Sequence, residues 1–363
     1  MLKTSPGQHT LTEITTQPEA WADALRAFGI LHDTLEKSWR SLCPQRVLFA
    51  GCGSTHYLSQ TAAFLFQGLT GVPARACPSS EIVLFGPQVL PNPGRTLLVA
   101  ISRSGTTTET LVAIDRFRQR GGQAVWAITC YPDSPLAQAA DLVLPAEAAQ
   151  EQSIAQTRSF ASMLVLVQAL AATIAGEDTS PLATLPELGQ KLLETSAPLT
   201  EEMGSRASLD RFFFLGSGPH YGLANEAMLK MKEMSLSYSE AFHFLEFRHG
   251  PMSMVNGQAL VVGLLSPEAQ VHERQVLDEM AALGGQVLAL APLPETGGDP
   301  TGRPLPAHLP AWARLVLYLP PLQLMAYHRA IVKGLDPDHP RHLEAVVSLD
   351  ESSFGLNQKE ERK

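Results

Sequence analysis

Two polar constellations in this chain carry residue types that could do chemistry. The first is Ser102-Arg103-Ser104-Gly105-Thr106-Thr107-Thr108, which holds five hydroxyls around one glycine. It follows the apolar run Thr96–Ile101 and leads into an amphipathic segment from Leu111 to Arg120 that ends at Gly121-Gly122. That order reads as a buried strand, a tight turn and a helix start. A helix's first-turn N–H groups, its positive dipole end and side-chain hydroxyls then converge on one point, which suits a phosphate dianion. Arg103 adds a full positive charge. A single Ser or Thr would suffice to cap the helix, so the excess of hydroxyls points to a phosphate cradle.

The second constellation is Asn225-Glu226-Ala227-Met228-Leu229-Lys230-Met231-Lys232-Glu233-Met234. On a helix Glu226, Lys230 and Glu233 share one face, while Leu223, Ala227, Met231 and Met234 face the core. A Glu–Lys pair at this spacing is ordinarily a solvated surface pair worth a few tenths of a kcal/mol. The next segment changes its meaning. Ser239 to Met252 packs His243, His249, Glu240, Glu246 and Arg248 among aromatic residues and ends in Gly250-Pro251, a polar loop of the kind that walls a site. Carboxylate and imidazole together supply what an aldose–ketose proton transfer requires: a base for a carbon-bound proton and a shuttle for protons on oxygen.

The rest of the chain must position these groups. With 363 residues, 45% of them hydrophobic, it can bury a sizeable core and should form two domains. A net charge of −9 and the absence of any Lys/Arg cluster argue against a nucleic-acid surface. The opening Met1–Pro6 lacks the apolar core of a signal peptide, and no run approaches the ~18 apolar residues of a membrane span. A cytoplasmic protein without membrane contact is expected. Cys43, Cys52, Cys77 and Cys130 form no C-x-x-C pair, so they read as buried free thiols with neither disulfide nor zinc site, and no metal or cofactor is called for.

In chain order, Thr10 to Trp39 has helical periodicity, and Val47–Ala50 is a strand that turns through Gly51-Cys52-Gly53-Ser54-Thr55 into a helix from Tyr57 to Leu69. A turn-and-helix region at Glu81–Phe85 and a proline-rich loop precede the hydroxyl run. Strands follow at Ala124–Thr129 and Asp141–Leu144, then the polar entry Glu151–Phe160 to an apolar helix ending at Ile174. Residues 176–206, with Pro181, Pro186 and Pro198, read as a linker carrying one helix, Leu188–Glu194. The second half then repeats the first: Phe213–Gly218 sits over Leu48–Gly53, Leu260–Gly263 over Leu97–Ala100, and Gly284-Gly285-Gln286 over Gly121-Gly122-Gln123. Where the first half has its hydroxyl loop the second has Ser266-Pro267-Glu268-Ala269-Gln270. Proline removes a donor and glutamate repels an anion, so one cradle serves two domains. Strands alternating with helices at this spacing predict an α/β fold.

These motifs, in this order, resemble the double sugar-isomerase (SIS) domain family, in particular the isomerase half of glucosamine-6-phosphate synthase and the stand-alone glucosamine-6-phosphate deaminases. The likeness runs from Glu13-Ile14-Thr15-Thr16-Gln17-Pro18 to Asp336-Pro337-Asp338-His339-Pro340-Arg341. It implies two tandem SIS domains, each a parallel sheet flanked by helices in three α/β/α layers. The expected division is a helical segment 1–45, a first SIS domain 46–176, a linker 177–205, a second SIS domain 206–335 and a tail 336–363. The family's phosphate loop falls on Ser102, Arg103, Ser104 and Thr107 and its glycine turn on Cys52-Gly53-Ser54-Thr55, so Ser54 and Thr55 join the phosphate set. Its catalytic helix falls on Glu226, Lys230 and Glu233, with Glu233 at the position of the base that moves a proton between the first two carbons. Its ring-opening histidine falls on His249, in a loop that reaches a neighbouring subunit's site, which implies a homodimer with shared sites. Ile154 and Gln156 fall in the sugar-lining segment. Ala345 stands at or near a lysine that in the family touches the open-chain sugar, Gln156 where the synthase has serine, and Arg103 where it often has glutamine. The chain begins where the synthase's glutaminase domain would end. The resemblance therefore implies a glucosamine-6-phosphate deaminase/isomerase that releases fructose 6-phosphate and ammonia; an aldose–ketose isomerase of another sugar phosphate and a non-catalytic phosphosugar-binding regulatory module are the alternatives.

Overall fold

A computed structural model describes residues 5–293, 302–347 and 349. The first four residues of the opening segment and the end of the expected tail, 350–363, lie outside the described residues. Helices α1 (Gln8–Thr15) and α2 (Gln17–Leu42) precede β1 (Arg46–Gly51), α3 (Ser54–Thr70), β2 (Ala74–Pro78), the short α4 (Ser79–Leu84) and α5 (Gly86–Val89), and β3 (Thr96–Ile101). Then come α6 (Thr108–Gln119), β4 (Ala124–Thr129), α7 (Pro135–Ala139), β5 (Leu142–Pro145) and α8 (Arg158–Ala175). Helix α9 (Leu185–Ser205) leads to β6 (Arg211–Gly216), α10 (His220–Ser235), β7 (Tyr238–Phe242), α11 (Phe244–Phe247) and β8 (Ala259–Leu264). Helix α12 (Gln270–Ala282), β9 (Gln286–Leu293), β10 (Gly302–Pro306), α13 (Ala311–Arg314) and α14 (Leu319–Val332) complete the order.

The strands form two sheets, β2-β1-β3-β4-β5 and β10-β9-β8-β6-β7. Every pairing in both is parallel. Read from the edge at β7, the second sheet has the order of the first, so the sequence repeat is a repeat of topology. In each the strand order reverses between two central strands, β1 and β3 in the first and β6 and β8 in the second. A crevice opens beyond their carboxyl ends at such a point, and ligands of open α/β sheets bind there. The all-buried runs Thr96–Ile101 and Ala259–Leu264 are what a strand covered on both faces requires.

Differences from the sequence reading have local causes. The helix expected from Thr10 to Trp39 is two, because Pro18 occupies the first turn of α2 and cannot prolong α1. Residues 185–205 form one helix where a linker with a short helix is expected, and Pro198 lies inside it. Close packing holds this helix. A Cβ on Gly189 would lie 2.3 Å from the Trp21 ring, and one on Gly204 2.6 Å from the Met325 carbonyl, so α9 is wedged between α2 and α14. Edge strands β2 and β7 are half-exposed, which erases the hydrophobic run that marks a central strand. The polar segment from Ser239 is accordingly β7, α11 and a 3-10 turn at Pro251–Met254 rather than one loop. Helix α8 is long and apolar enough to cross a membrane by length and composition, contrary to the expectation that no run is, but it is mostly buried inside the protein. All four cysteines are free; Cys77 and Cys130 are buried, whereas Cys43 is exposed.

The two halves meet through α3 and α10. A Cβ on Gly222 would lie 2.4 Å from Thr61 Oγ1 and 2.5 Å from the Tyr57 carbonyl, so only glycine allows this approach. The Thr61 hydroxyl donates to the Pro219 carbonyl (2.9 Å) and the Asn225 amide to Gln60 Oε1 (3.1 Å) across the same seam. One apolar cluster runs from Trp21 and Phe160 through Leu223 and Met231 to Leu322, joining both sheets.

Candidate active site

The hydroxyl loop lies where β3 passes into α6, at the first sheet's reversal point. Gly105 has φ +66° and a Cβ there would meet Ser134 Oγ at 2.0 Å, so the turn admits glycine alone. Ser102 Oγ accepts from the Gly105 N–H (3.2 Å) and lies 3.1 Å from Thr107 Oγ1, while Ser104 Oγ accepts from the N–H and hydroxyl of Thr106 (3.2 and 3.0 Å). Thr107 is the N-cap residue, yet its side chain caps nothing. The Thr110 N–H donates to the Thr107 carbonyl (3.1 Å), which leaves the N–H groups of Thr108 and Glu109, at the very start of α6, to the mouth of the loop.

Arg103 faces the other way. Its guanidinium donates to Glu151 Oε2 (3.2 Å), to the carbonyls of Ser153 (3.3 Å) and Ile154 (3.0 Å), and to the Ala345 carbonyl (3.0 Å). The free positive charge that the sequence places at the cradle is therefore corrected: the Arg103–Glu151 pair is buried and the guanidinium is consumed inside the protein. Glu151 in turn accepts from the N–H and hydroxyl of Thr157 (2.8 and 3.0 Å) and from those of Ser159 (3.0 and 2.5 Å), which supplies the cap that α8 lacks at its own N-cap residue.

The stretch Glu151–Thr157 is held from two further sides. Glu13 of α1 accepts from the N–H groups of Gln152 (2.6 Å) and Ser153 (3.2 Å) and from the Ser153 hydroxyl, and burial, with the Glu151 charge adding, raises its carboxyl above the ordinary range. The Ile154 N–H donates to the Asp338 carbonyl (3.1 Å). The Asp338 carboxylate caps α1 through the N–H groups of His9 (3.1 Å) and Thr10 (2.7 Å) and the Thr10 hydroxyl (2.7 Å). The chain's two ends are thereby tied together under the lining segment. Within it Ile154 and Gln156 are half-buried, and Gln156 Oε1 is an acceptor without a partner. Ala345 is exposed and enters the site's surroundings through its carbonyl. Four residues further on, the Leu349 N–H donates to Thr108 Oγ1 (3.1 Å), which brings the tail over the start of α6.

The second constellation is buried where a solvated helix face is the ordinary expectation. Lys230 and Glu226 are each 1% exposed. The Lys230 ammonium lies 3.3 Å from Glu226 Oε1 and is hydrogen-bonded to Glu233 Oε2. Leu223, Ala227, Met231 and Met234 are buried as the periodicity requires. The fourth member comes from the first half. Ser54 Oγ donates to Glu226 Oε1 (3.1 Å) and accepts from Lys230 Nζ (3.2 Å). Ser54, expected in the phosphate set, has its hydroxyl engaged here by two charged groups of the second half. Thr55 is likewise committed locally, its Oγ1 donating to the Cys52 carbonyl and accepting from the Cys52 N–H, both at 2.9 Å. Gly53, at φ +55°, sets the turn that points Ser54 across the seam.

Electrostatics separate the two carboxyl groups. Burial drives the Glu226 carboxyl up to about 8, against the pull of Lys230 and with the push of Glu233, and Glu226 Oε2 has no partner. Burial alone would lower Lys230, but the two carboxylates outweigh it and hold the ammonium above its ordinary value. The Glu233 side chain is 19% exposed against 1% for Glu226, so of the two it is Glu233 that an external molecule can touch. Tyr57, which the sequence reading passes over, stands beside the pair: burial raises its phenol and the charges of Glu226 and Glu233 add to the rise. Nothing in its sequence neighbourhood marks it, because its place depends on the α3–α10 crossing.

His249 lies on the exposed turn after α11, with its N–H donating to the Glu246 carbonyl (3.0 Å). Among the described residues no hydrogen bond or ion pair joins it to Glu226, Lys230 or Glu233. His243 stacks on Tyr221 with ring centroids 3.8 Å apart.

Two sheets of one topology, with a hydroxyl loop at one reversal point and a Glu–Lys–Glu cluster at the seam between the halves, define a tandem α/β protein. The SIS domain model matches residues 42–173 and 207–296, and the chain belongs to that family. Among proteins of known sequence it is 31% identical over 325 residues to the glutamine–fructose-6-phosphate aminotransferase (isomerizing) of Zymomonas mobilis, a match covering 84% of this chain and 52% of that one. The enzyme of the same name from Symbiobacterium thermophilum is 31% identical over 367 residues, 94% of this chain and 59% of the other. The chain thus spans little more than half the length of these relatives. Among solved structures, glucosamine-6-phosphate deaminase from Thermotoga maritima superposes with a TM-score of 0.81 at 31% identity, covering 94% of this chain and all of that one.

Proposed function

We propose that this protein is a phosphosugar isomerase of the SIS type whose substrate is glucosamine 6-phosphate, converted with water to fructose 6-phosphate and ammonia. The observation that carries the reading is the cluster in which one carboxylate, Glu233, is reachable from outside while its partners Glu226 and Lys230 are sealed. Glu233 takes the proton from C2 of the open-chain aldehyde as the aldehyde oxygen gains one, giving an enolamine. The same carboxyl returns a proton to C1, and water adds to the resulting C2 imine with loss of ammonia. The Lys230 ammonium orients Glu233 and supplies positive charge beside the developing oxyanion. Ser102, Ser104 and Thr107 hold the phosphate with the first-turn N–H groups of α6. The unpartnered Gln156 Oε1 gives a sugar hydroxyl an acceptor. His249 shuttles protons during ring opening in the site of a second subunit, which makes the working unit a homodimer.

Solvent-deuterium exchange at C2 of bound sugar phosphate tests this. In the parent protein exchange is expected, and Glu233→Gln should reduce it by ~10²–10⁴-fold, the usual worth of a general base, while leaving sugar-phosphate affinity nearly unchanged. No exchange with any hexose or hexosamine 6-phosphate that binds would replace the enzyme by a binding module. Ammonia release from glucosamine 6-phosphate tests the choice of substrate separately.

A further inference from the structure

The second sheet has a reversal point of its own. Between the carboxyl ends of β6 and β8, where Gly216–Gly218 and Ser266–Ala269 correspond to the glycine turn and hydroxyl loop of the first sheet, lies a cavity of about 520 Å³. That is the size of a small-molecule site. Phe64 and Leu69 of α3, with Trp312 and Leu315, wall it, and Ser217, His220, Ser266 and Glu268 reach it from the second sheet.

Its chemistry is opposite to that of the first cradle. Glu273 of α12 occupies the anion's place, accepting the Ser266 N–H (2.6 Å) and the Ser266 hydroxyl (3.0 Å). Ser266 Oγ also takes the Ala269 N–H (3.2 Å), Pro267 has no N–H to offer, and Glu268 lines the mouth. Among the described residues no lysine or arginine lines the cavity. A phosphate would therefore meet the carboxylates of Glu268 and Glu273. The imidazole lining the cavity is His220, 3% exposed at the start of α10, with its ring edge-on to Tyr318 at 4.7 Å and the Ser217 backbone beside it; among the described residues its Nδ1 has no well-aligned partner. Burial pushes this imidazole down to about 4, so it is neutral near pH 7 and can exchange one hydrogen bond without charge.

We propose that this cavity is a second small-molecule site, which takes an uncharged, flat aromatic molecule carrying one hydrogen-bonding nitrogen or oxygen and excludes sugar phosphates. Phe64 and Trp312 offer aromatic walls to such a ring, and His220 offers its hydrogen bond. The site lies outside the Glu226–Lys230–Glu233 cluster and its occupancy is read without any assay of activity.

Indole is the probe, followed by titration calorimetry and ligand-observed NMR on the whole chain. Saturable binding in the range of roughly 0.1–5 mM is expected for a molecule of this size, with indoxyl phosphate at least tenfold weaker and no displacement of indole by fructose 6-phosphate. Gly68→Leu closes the cavity from α3: a Cβ at Gly68 meets nothing within 4 Å, and leucine is the better helix former. It should weaken indole at least tenfold without lowering the melting temperature; if it does lower it, Ala311→Leu on the opposite wall is read in its place. The proposal is overturned by absent indole binding, by undiminished binding in the folded filling variant, by displacement with fructose 6-phosphate, or by tighter binding of indoxyl phosphate. A change of oligomeric state on adding indole, seen by light scattering, would assign the cavity to a side chain of a second copy and overturn it too.

Discussion

Glu226 and Glu233 sit on one helix, seven residues apart and joined to one lysine, yet their surroundings give them different work. A carboxyl held up at about 8 in the folded protein and near 4.5 when unfolded binds a proton through the interval in which the unfolded chain has lost it. Its contribution to stability is therefore full below about 4.5 and is lost as pH rises towards 8, at roughly 1.4 kcal/mol per pH unit. Glu226→Gln cannot titrate. Relative to the parent, the variant should gain several kcal/mol between pH 4.5 and 8 and stay level above that, as checked by urea unfolding across the range. A pH-independent difference would show that Glu226 titrates normally. At this scale the sequence was only partly legible: spacing put Glu226, Lys230 and Glu233 on one face, but it could not tell a solvated face from a sealed one. Nor could it show which way Arg103 points, since its partner Glu151 is distant in the chain and only the folded loop brings the two together.

Arg103 is where residue passes into element. Four hydrogen bonds from one guanidinium fasten the hydroxyl loop to the entry of α8 and to the tail, so its removal should loosen elements without removing a phosphate ligand. Breaking a buried ion pair by deleting one partner costs about 3–5 kcal/mol, and Arg103→Gln should show a loss of that order by chemical denaturation. Where the variant is folded, its preference for a phosphorylated over an unphosphorylated sugar should persist. Ser104→Ala and Thr107→Ala should behave in the opposite way, with little change in the melting temperature and a loss of affinity of roughly 1.5–3 kcal/mol per charge-assisted hydrogen bond by calorimetry. If Arg103→Gln erases the phosphate preference while the hydroxyl variants keep it, the cradle is misassigned. The central strands and the helices that follow them are legible because buried apolar runs and glycine turns mark them. The edge strands β2 and β7 are not, since half-exposed strands lose the pattern, and α9 reads as a linker with one short helix, Leu188–Glu194, because its prolines outweigh the buried face that Trp21 and α14 provide.

At the scale of the molecule, two sheets of one topology differ at their reversal points: the first carries the hydroxyl loop, and the second fills the corresponding place with Glu273 and brings α10 to the seam. The repeat was visible in sequence, but the crossing that brings Ser54 to Lys230 was not, because it rests on Gly222 against Tyr57 and Thr61, contacts between halves that no periodicity records. His249 poses the remaining question of this scale. It is exposed, and among the described residues no hydrogen bond or ion pair ties it to Glu226, Lys230 or Glu233; the proposed function puts it in a neighbouring subunit's site. Two inactive chains, His249→Ala and Glu233→Gln, then have complementary defects. A mixed dimer would hold one site with both residues intact and one with neither, so random exchange of equal amounts, giving about half mixed dimers, should restore roughly a quarter of the parent's activity per chain. Mixing should be done under conditions in which labelled subunits are seen to exchange, with light scattering to establish the dimer. Full exchange without recovered activity, or a monomer at working concentration, would place His249 in its own chain's site or outside the chemistry altogether.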